Sequence, residues 1–295
     1  MQRARRMGID LGGTKIEGVV LDEGNRPTFR HRVATERERG YEHILSQITE
    51  LTSRLRREAP ECSRVGIGTP GSISRLDGTI KNSNTTCLNG RRLVEDLRAR
   101  VGVELIIEND ANCFALAEAV AGAGAGEALV FGVILGTGVG GGIVHRGELL
   151  RGPQNLAGEW GHHSIDPNGP VCYCGQRGCV ESLISGPAVV AQYVAAGGTA
   201  GEMQDVVVAY RSGEPVAAKI FARFIDRFGR AIANLVDILD PDVIVLGGGL
   251  SNVDELYTQG RDAVARYVFN DELRTPIRRH ALGDSAGVIG AALLV

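Results

Sequence analysis

Asp10-Leu11-Gly12-Gly13-Thr14-Lys15 stands between two short apolar runs, Met7 to Ile9 and Ile16 to Leu21, and the segment after its glycines decides the fold. Glycine-rich turns bind phosphate because bare backbone lets several N–H groups converge on anionic oxygens. A P-loop or a dinucleotide-binding turn opens a helix. Here the turn opens Ile16-Glu17-Gly18-Val19-Val20-Leu21, which reads as a strand. The stretch is therefore a β-hairpin, and context must separate a plain tight turn from a phosphate cradle. As a cradle it sets Asp10 at the end of the incoming strand, well placed to hold Mg²⁺ through water, with Thr14 supplying a hydroxyl.

Outward from this hairpin, Tyr41, Ile44, Leu45, Ile48, Leu51 and Leu55 recur at helical spacing. Val65 to Gly68 reads as a strand ending at Thr69-Pro70-Gly71, and Leu105 to Ile107 as another, handing over at Glu108-Asn109-Asp110-Ala111-Asn112 to an alanine-rich helix that glycines stop near Gly122. Asn109 and Asp110 suit the N-cap of that helix. The second half repeats the theme: strand Val130 to Leu135, turn Gly136 to Gly142, return strand Ile143-Val144. A long buried helix runs from Ile220 to Leu239 and ends at Asp240-Pro241, because a residue before proline avoids helical geometry. Strand Asp242 to Leu246 then enters Gly247-Gly248-Gly249. Alternating strands and helices predict an α/β fold. One strand–glycine-turn–strand unit in each half predicts two related lobes facing a shared ligand.

At 295 residues, a single core gives way to two. Hydrophobic residues make up 43% and charged residues 23%, and a formal charge of −3 gives no reason to expect nucleic acid or an anionic membrane as partner. The basic start (Arg3, Arg5, Arg6) reads as a solvated tail without the apolar segment of a secretory signal. Ala128 to Val144 lacks charge, but its glycines argue for two strands rather than a membrane helix, so a soluble, cytoplasmic protein is expected. Of six cysteines, Cys172, Cys174 and Cys179 fall within eight residues, and His162 lies ten before Cys172. In a reducing compartment such a set suggests metal before disulfide, and Cys₃His is a structural zinc arrangement. Cys62, Cys87 and Cys113 read as small buried residues without chemistry.

These motifs also carry a resemblance. Asp10 to Lys15 resembles the first phosphate motif of the ROK family (repressors, open reading frames, kinases), and Leu135-Gly136-Thr137-Gly138-Val139-Gly140-Gly141-Gly142 resembles its second. Gly247-Gly248-Gly249-Leu250-Ser251 is similar to the turn that packs against adenosine, and the likeness runs to Gly283-Asp284-Ser285-Ala286-Gly287-Val288. It implies a two-lobed actin/Hsp70/hexokinase-like (RNase H-like) ATPase fold with an interlobe cleft. The small lobe would be 1–112 with about 283–295 packing back, and the large lobe 113–282 with the zinc loop. It implies ATP held by Asp10, Gly12, Gly13, Thr14 and Lys15, by Gly136, Thr137 and Gly138, and by Gly248 and Gly249. Closure over ATP would exclude water.

Glu159-Trp160-Gly161-His162 matches the family's Glu-x-Gly-His motif, and Cys172-Tyr173-Cys174-Gly175-Gln176-Arg177-Gly178-Cys179 its zinc signature. The family pattern makes His162, not His163, the ligand beside Cys172, Cys174 and Cys179. The match at Glu108 to Asn112 implies Asp110 as catalytic base. The implied sugar contacts are Gly71, Asn84, Asn109, Asp110, Glu159, His162 and Glu181. The implied cofactors are ATP, Mg²⁺ and structural Zn²⁺, and the implied assembly a homodimer.

Within the family, Thr69-Pro70-Gly71-Ser72-Ile73-Ser74, Lys81-Asn82-Ser83-Asn84, Leu88-Asn89-Gly90 and Val171-Cys172-Tyr173-Cys174 look closest to bacterial fructokinases of the manno(fructo)kinase type. Conversion of fructose to fructose 6-phosphate is thus expected. N-acetylglucosamine kinases share many of these motifs, and glucokinase or mannokinase activity is a further alternative. Cys87 stands where related kinases often have tryptophan. Family repressors carry a helix-turn-helix domain before the first phosphate motif; with six residues ahead of Met7, a kinase rather than a repressor is expected. A non-catalytic sugar-binding or regulatory protein would not need Asp10, Asp110 and both turns together.

Overall fold

The computed structural model describes residues 5–74 and 76–295, so Arg3 of the basic start lies outside the described residues. The chain divides into two compact units, Met1–Gly122 with Arg151–Leu156 and Leu282–Val295, and Ala123–Leu150 with Ala157–Ala281.

In unit 1, strands β1 (Arg6–Leu11), β2 (Lys15–Leu21) and β3 (Pro27–Ala34) form an antiparallel meander, followed by helix α1 (Tyr41–Glu58). Strand β4 (Arg64–Thr69) joins β1 in parallel, and β5 (Ser72–Ile73) pairs with β6 (Ile80–Lys81) in a small hairpin. Helix α2 (Leu93–Val101) leads to β7 (Glu104–Asn109), parallel to β4, and then to α3 (Asp110–Ala121). The sheet order is β3-β2-β1-β4-β7.

In unit 2, β8 (Leu129–Leu135), β9 (Val139–His145) and β10 (Glu148–Leu149) make the meander. Helices α4 (Val180–Ile184), α5 (Gly186–Ala195), α6 (Met203–Arg211) and α7 (Pro215–Leu239) precede β11 (Val243–Gly247), which is parallel to β8. Helix α8 (Gln259–Ala265) precedes β12 (Ile277–Arg279), parallel to β11. The order β10-β9-β8-β11-β12 repeats that of unit 1: three antiparallel strands, then two parallel ones. A C-terminal helix, Ala286–Leu293, returns to unit 1.

Each face of the unit 1 sheet is covered for a different reason. On one side α1 buries its apolar stripe, Tyr41, Ile44, Leu45, Ile48, Leu51 and Leu55, against Met7, Ile9, Val65 and Ile67. On the other, the C-terminal helix approaches so closely that only glycine fits beneath it. A side-chain carbon on Gly66 would lie 1.8 Å from the Ala291 carbonyl oxygen, and one on Gly8 2.4 Å from the Ala292 nitrogen. The glycines inside these strands mark close backbone approach rather than weak pairing.

Four expectations are corrected. The expected turn Gly136–Gly142 is only Gly136–Gly138, because β9 begins at Val139 and its glycines pair with Gly132, Val133 and Ile134. Gly141 is a glycine because the Trp160 indole lies over it; a side-chain carbon there would stand 2.7 Å from Trp160 Cδ1. The unit boundary falls after Gly122 rather than at 112. Helix α3 stays whole in unit 1, where its fully buried Glu118 accepts the Leu282 N–H through Oε1 at 2.9 Å. The basic start is no free tail: Arg5 donates to the Glu58 carbonyl at 2.6 Å, and Arg6, already in β1, to Asn25 Oδ1 at 3.0 Å. Of the scattered cysteines only Cys113 is fully buried; Cys62 and Cys87 are half-buried, and the Cys62 thiol donates to the Arg5 carbonyl. Among the described residues no helix is long and apolar enough to cross a membrane.

Gly66→Ala forces a methyl into the Ala291 backbone, so urea denaturation is expected to show a loss of about 3 kcal/mol, at the upper end for overpacked cores. Unchanged stability would mean that the C-terminal helix is not seated on this sheet.

Candidate active site

In open α/β sheets, ligands bind outside the carboxyl ends of the parallel strands. In unit 1 three such ends coincide, because Asp10 is in register with Gly68, and Gly68 with Glu108. Beyond them come the Gly12–Thr14 turn from β1, Gly71 from β4, and Asn109-Asp110 from β7. The turn is tied by Gly12 N–H to the Lys15 carbonyl at 2.9 Å, with Thr14 exposed at its tip. Lys15 Nζ lies 3.8 Å from the fully buried Glu17 carboxylate, which Arg30 and Arg32 also face at 3.2 and 2.8 Å.

The Asp10 carboxylate rests against Gly287 at the start of the C-terminal helix, where a side-chain carbon would come within 2.9 Å of Oδ2. Burial, then the charges of Asp110 and Glu17, push Asp10 up to about 7, against some relief from Lys15. A carboxylate so disfavoured is relieved by a cation.

The β7–α3 corner is built on Asn109. Its Oδ1 caps α3 by accepting the Ala111 N–H at 2.9 Å, and its Nδ2 donates to the Gly71 carbonyl at 2.9 Å. One N–H and one lone pair of that amide remain for a ligand. Asp110 Oδ1 also accepts the Ala111 N–H at 2.8 Å, so its carboxylate sits in the first turn of α3. Glu108, on the preceding strand residue, accepts Asn109 N–H and Asn112 Nδ2 at 3.0 Å each and pairs with Arg151 at 2.6 Å. Gly71 itself is backbone packing: a side-chain carbon there would lie 2.5 Å from the Lys81 carbonyl. Asn84 stands exposed between buried Ser83 and Thr85, in a loop that Asn89 pins through two bonds of 2.9 Å to the Ser83 backbone.

In unit 2 the two remaining glycine turns lie side by side at the ends of β8 and β11. A side-chain carbon on Gly136 would be 3.9 Å from Gly249 N, and one on Gly248 only 2.3 Å from the Leu135 carbonyl. Thr137 is exposed at the tip of its turn. Glu181 belongs to this turn as well: Oε2 accepts the Val139 N–H at 2.9 Å and would contact any side chain on Gly138.

Behind these turns, Glu159 and His162 ride on an anchored segment. The Trp160 indole N–H donates to the Gly140 carbonyl at 2.9 Å, its ring meets Phe131 edge-on at 6.2 Å, and Gly161 lies flat on Val139. The anchor was missed in the sequence, although Trp160 is the chain's one tryptophan and has glycines at 158 and 161.

The ligand atoms of His162, Cys172, Cys174 and Cys179 all lie within 4.8 Å of one another. Cys174 and Cys179 Sγ are 3.6 Å apart, as are Cys172 Sγ and His162 Nδ1. A tetrahedral zinc with bonds near ~2.3 Å spaces its ligands by roughly this distance, so the residues fit the metal. Desolvation raises the Cys172 and Cys179 thiols, which a bound cation would reverse, while the Gln176 N–H lowers Cys174. His163 stays outside this group, its Nε2 3.2 Å from Asn234 Nδ2. The outward nitrogen of His162, expected to meet sugar, is bonded to the Tyr173 hydroxyl at 2.9 Å, so a sugar hydroxyl must displace Tyr173 to reach it.

The ROK family profile matches residues 6–295. The chain belongs to the ROK family. It is a sugar kinase of that family, similar along its whole length to an N-acetylgalactosamine kinase of Shewanella (37% identical, 97% of this chain and 95% of the relative). The N-acetyl-D-glucosamine kinase of Pasteurella multocida is 36% identical, with 98% of each chain covered. Among solved structures, this ROK kinase superposes on the ROK hexokinase of Thermus thermophilus with a TM-score of 0.89 (34% identity, 98% and 97% covered). On the Streptomyces griseus ROK glucokinase in complex with glucose and AMPPNP the TM-score is 0.77 (31% identity, 99% of each covered).

Metal analysis of the purified ROK kinase should return one zinc per chain, and Cys179→Ser should abolish it; metal-free wild type would remove the centre. A second expectation concerns Asp10. The native carboxyl keeps its proton up to about 7, whereas the unfolded one releases it near the ordinary value of 3.8. Between these values the native state binds more protons, so stability falls as pH rises. Metal-free Asp10→Asn should therefore match wild type near pH 4 and exceed it at pH 8, by on the order of 1–3 kcal/mol. A pH-independent difference in denaturation midpoints would show that Asp10 carries no such cost.

Proposed function

We propose that this chain phosphorylates an N-acetylhexosamine with ATP, Asp110 taking the proton of the sugar hydroxyl that attacks the γ-phosphorus. The observation that carries the reading is the row of strand ends that sets Asp10 and Asp110 beside the Gly12–Thr14 hairpin. Full-length similarity to N-acetylgalactosamine and N-acetylglucosamine kinases supports the amino sugar. The fructose expectation rested on four short segments, and whole-chain likeness outweighs them. Glucose is the second reading, favoured by the likeness to the glucose-bound glucokinase.

Phosphoryl transfer proceeds through a loose transition state, so positioning and charge stabilisation carry most of the rate. Asp110 orients the acceptor hydroxyl and receives its proton as the new P–O bond forms and the bond to ADP breaks. Asn109 offers its remaining N–H and lone pair to a neighbouring hydroxyl, with Gly71 and Asn84 on the loops beside it. Amides of Gly13 and Thr14, with Lys15, take phosphate oxygens in unit 1, at a turn that the expected ligand Gly12 closes by giving its N–H to the Lys15 carbonyl. In unit 2, Thr137 and Gly138 take phosphate oxygens, at a turn that Gly136 closes by giving its N–H to the Gly138 carbonyl at 2.9 Å, and Gly248 and Gly249 face the nucleoside. Magnesium, held through water by Asp10, would supply positive charge at the phosphates. Zinc on His162, Cys172, Cys174 and Cys179 would fix the loop whose neighbours Glu159 and Glu181 accept sugar hydroxyls.

A coupled ADP-release assay on N-acetylglucosamine, N-acetylgalactosamine, glucose, mannose and fructose tests this. The highest kcat/KM should fall on an N-acetylhexosamine, and Asp110→Asn should keep sugar binding while kcat drops about 10³-fold, in the range of a lost acid–base group. A preference for fructose would overturn the substrate, and near-normal turnover of Asp110→Asn would overturn the base.

A further inference from the structure

The loop after β3 is strapped onto the Gly12–Thr14 hairpin. Fully buried Thr35 donates its hydroxyl to the Gly12 carbonyl at 2.7 Å and its N–H to the Thr14 carbonyl at 2.9 Å. Glu36 then takes the left-handed conformation (φ 46), which reverses the chain and brings Arg37 back over the hairpin. Arg37 Nη1 would lie 3.9 Å from a side-chain carbon placed on Gly13.

Charges around this turn are unevenly paired. Lys15, Arg30 and Arg32 all face Glu17, and Arg39 pairs with Glu36 at 2.8 Å. Among the described residues Arg37 makes no ion pair, although Glu36 is its neighbour in sequence. A second observation marks the same spot. Thr85 Oγ1 is fully buried, has no hydrogen-bond partner, and would lie 3.8 Å from the same carbon on Gly13. Buried hydroxyls are nearly always bonded, and an orphan one needs an explanation. An unpaired guanidinium and an orphan hydroxyl converging on a glycine, in a turn that exposes backbone N–H groups, together describe a place for an anionic oxygen.

We propose that Arg37 is a ligand of the terminal phosphate of ATP, supplied by the strapped loop to neutralise charge on the transferring group, with the Thr85 hydroxyl completing the cradle behind Gly13. The assignment rests on the reading of Gly12–Thr14 as a phosphate cradle. A guanidinium matches phosphate oxygens in a two-pronged way that an ammonium does not. Arg37 is exposed and outside the hydrophobic cores, so its removal is expected to leave the fold intact.

The test is calorimetric titration of the full chain, in Mg²⁺ and without sugar, with AMP-PNP and with ADP, for wild type, Arg37→Ala and Arg37→Lys. Wild type should bind AMP-PNP more tightly than ADP. Arg37→Ala should lose about tenfold for AMP-PNP, the weight of one charge-assisted contact, with ADP unchanged. Arg37→Lys should fall between, and kcat in the ADP-release assay should follow the same order. Equal affinities of Arg37→Ala and wild type for AMP-PNP would make Arg37 a solvated surface charge and overturn the proposal. Equal losses for both nucleotides would overturn its placement at the terminal phosphate. Wild type that binds neither nucleotide would overturn the cradle itself, and this proposal with it.

Discussion

Two carboxylates held at the ends of β1 and β7, Asp10 and Asp110, with β4 between those strands, are the constraint on which the rest of the molecule turns. Like charges close together raise the free energy of both being ionised, and Asp10 shows it, pushed up to about 7 by burial and then by Asp110 and Glu17. Nothing about folding requires this arrangement. It persists because the in-register ends of β1, β4 and β7 leave no other place for these residues, and because the glycine-seated C-terminal helix closes over Asp10 at Gly287. The cost is offset when a cation and a phosphate occupy the space, which ties the strained electrostatics of the site to its chemistry.

The repeated strand order shows how one architecture serves two tasks. Both sheets run three antiparallel strands and then two parallel ones, and both put a glycine turn between the first two. In unit 1 the turn is accompanied by carboxylates and basic groups. In unit 2 it is accompanied by a second glycine turn at Gly247–Gly249 and by the Glu181 carboxylate, bonded to the Val139 amide. The glycines are of two kinds. Those at Gly12, Gly13, Gly136 and Gly138 present backbone at strand ends, whereas Gly8, Gly66 and Gly141 lie inside strands to admit a helix backbone or the Trp160 ring.

Much of this was legible in the sequence. Hydrophobic period fixes α1 and α7, and the strand after Thr14 excludes a P-loop. The Cys₃His spacing brings four ligand atoms together. The extent of the second turn was misread because glycines inside a strand look like a turn until their partners, and the indole on Gly141, are known. Asn109 carried two readings, and the cap together with the bond to the Gly71 carbonyl consumes half of its hydrogen-bonding capacity. Arg37 gave no signal because only the Thr35 strap and the Glu36 turn bring it to Gly13, and Thr85 gave none because the separate loop that carries it meets Gly13 only in the folded chain. The sugar was least legible, since short motifs shared across a family do not separate its substrates.

The most direct measurement is a crystal structure of the chain with Mg²⁺, AMP-PNP and N-acetylglucosamine. One Asp110 carboxylate oxygen should lie within about 3 Å of a single sugar hydroxyl, the reach of a general base, with the metal's water shell touching Asp10. An Asp110 side chain turned away from every carbohydrate oxygen would contradict the assignment.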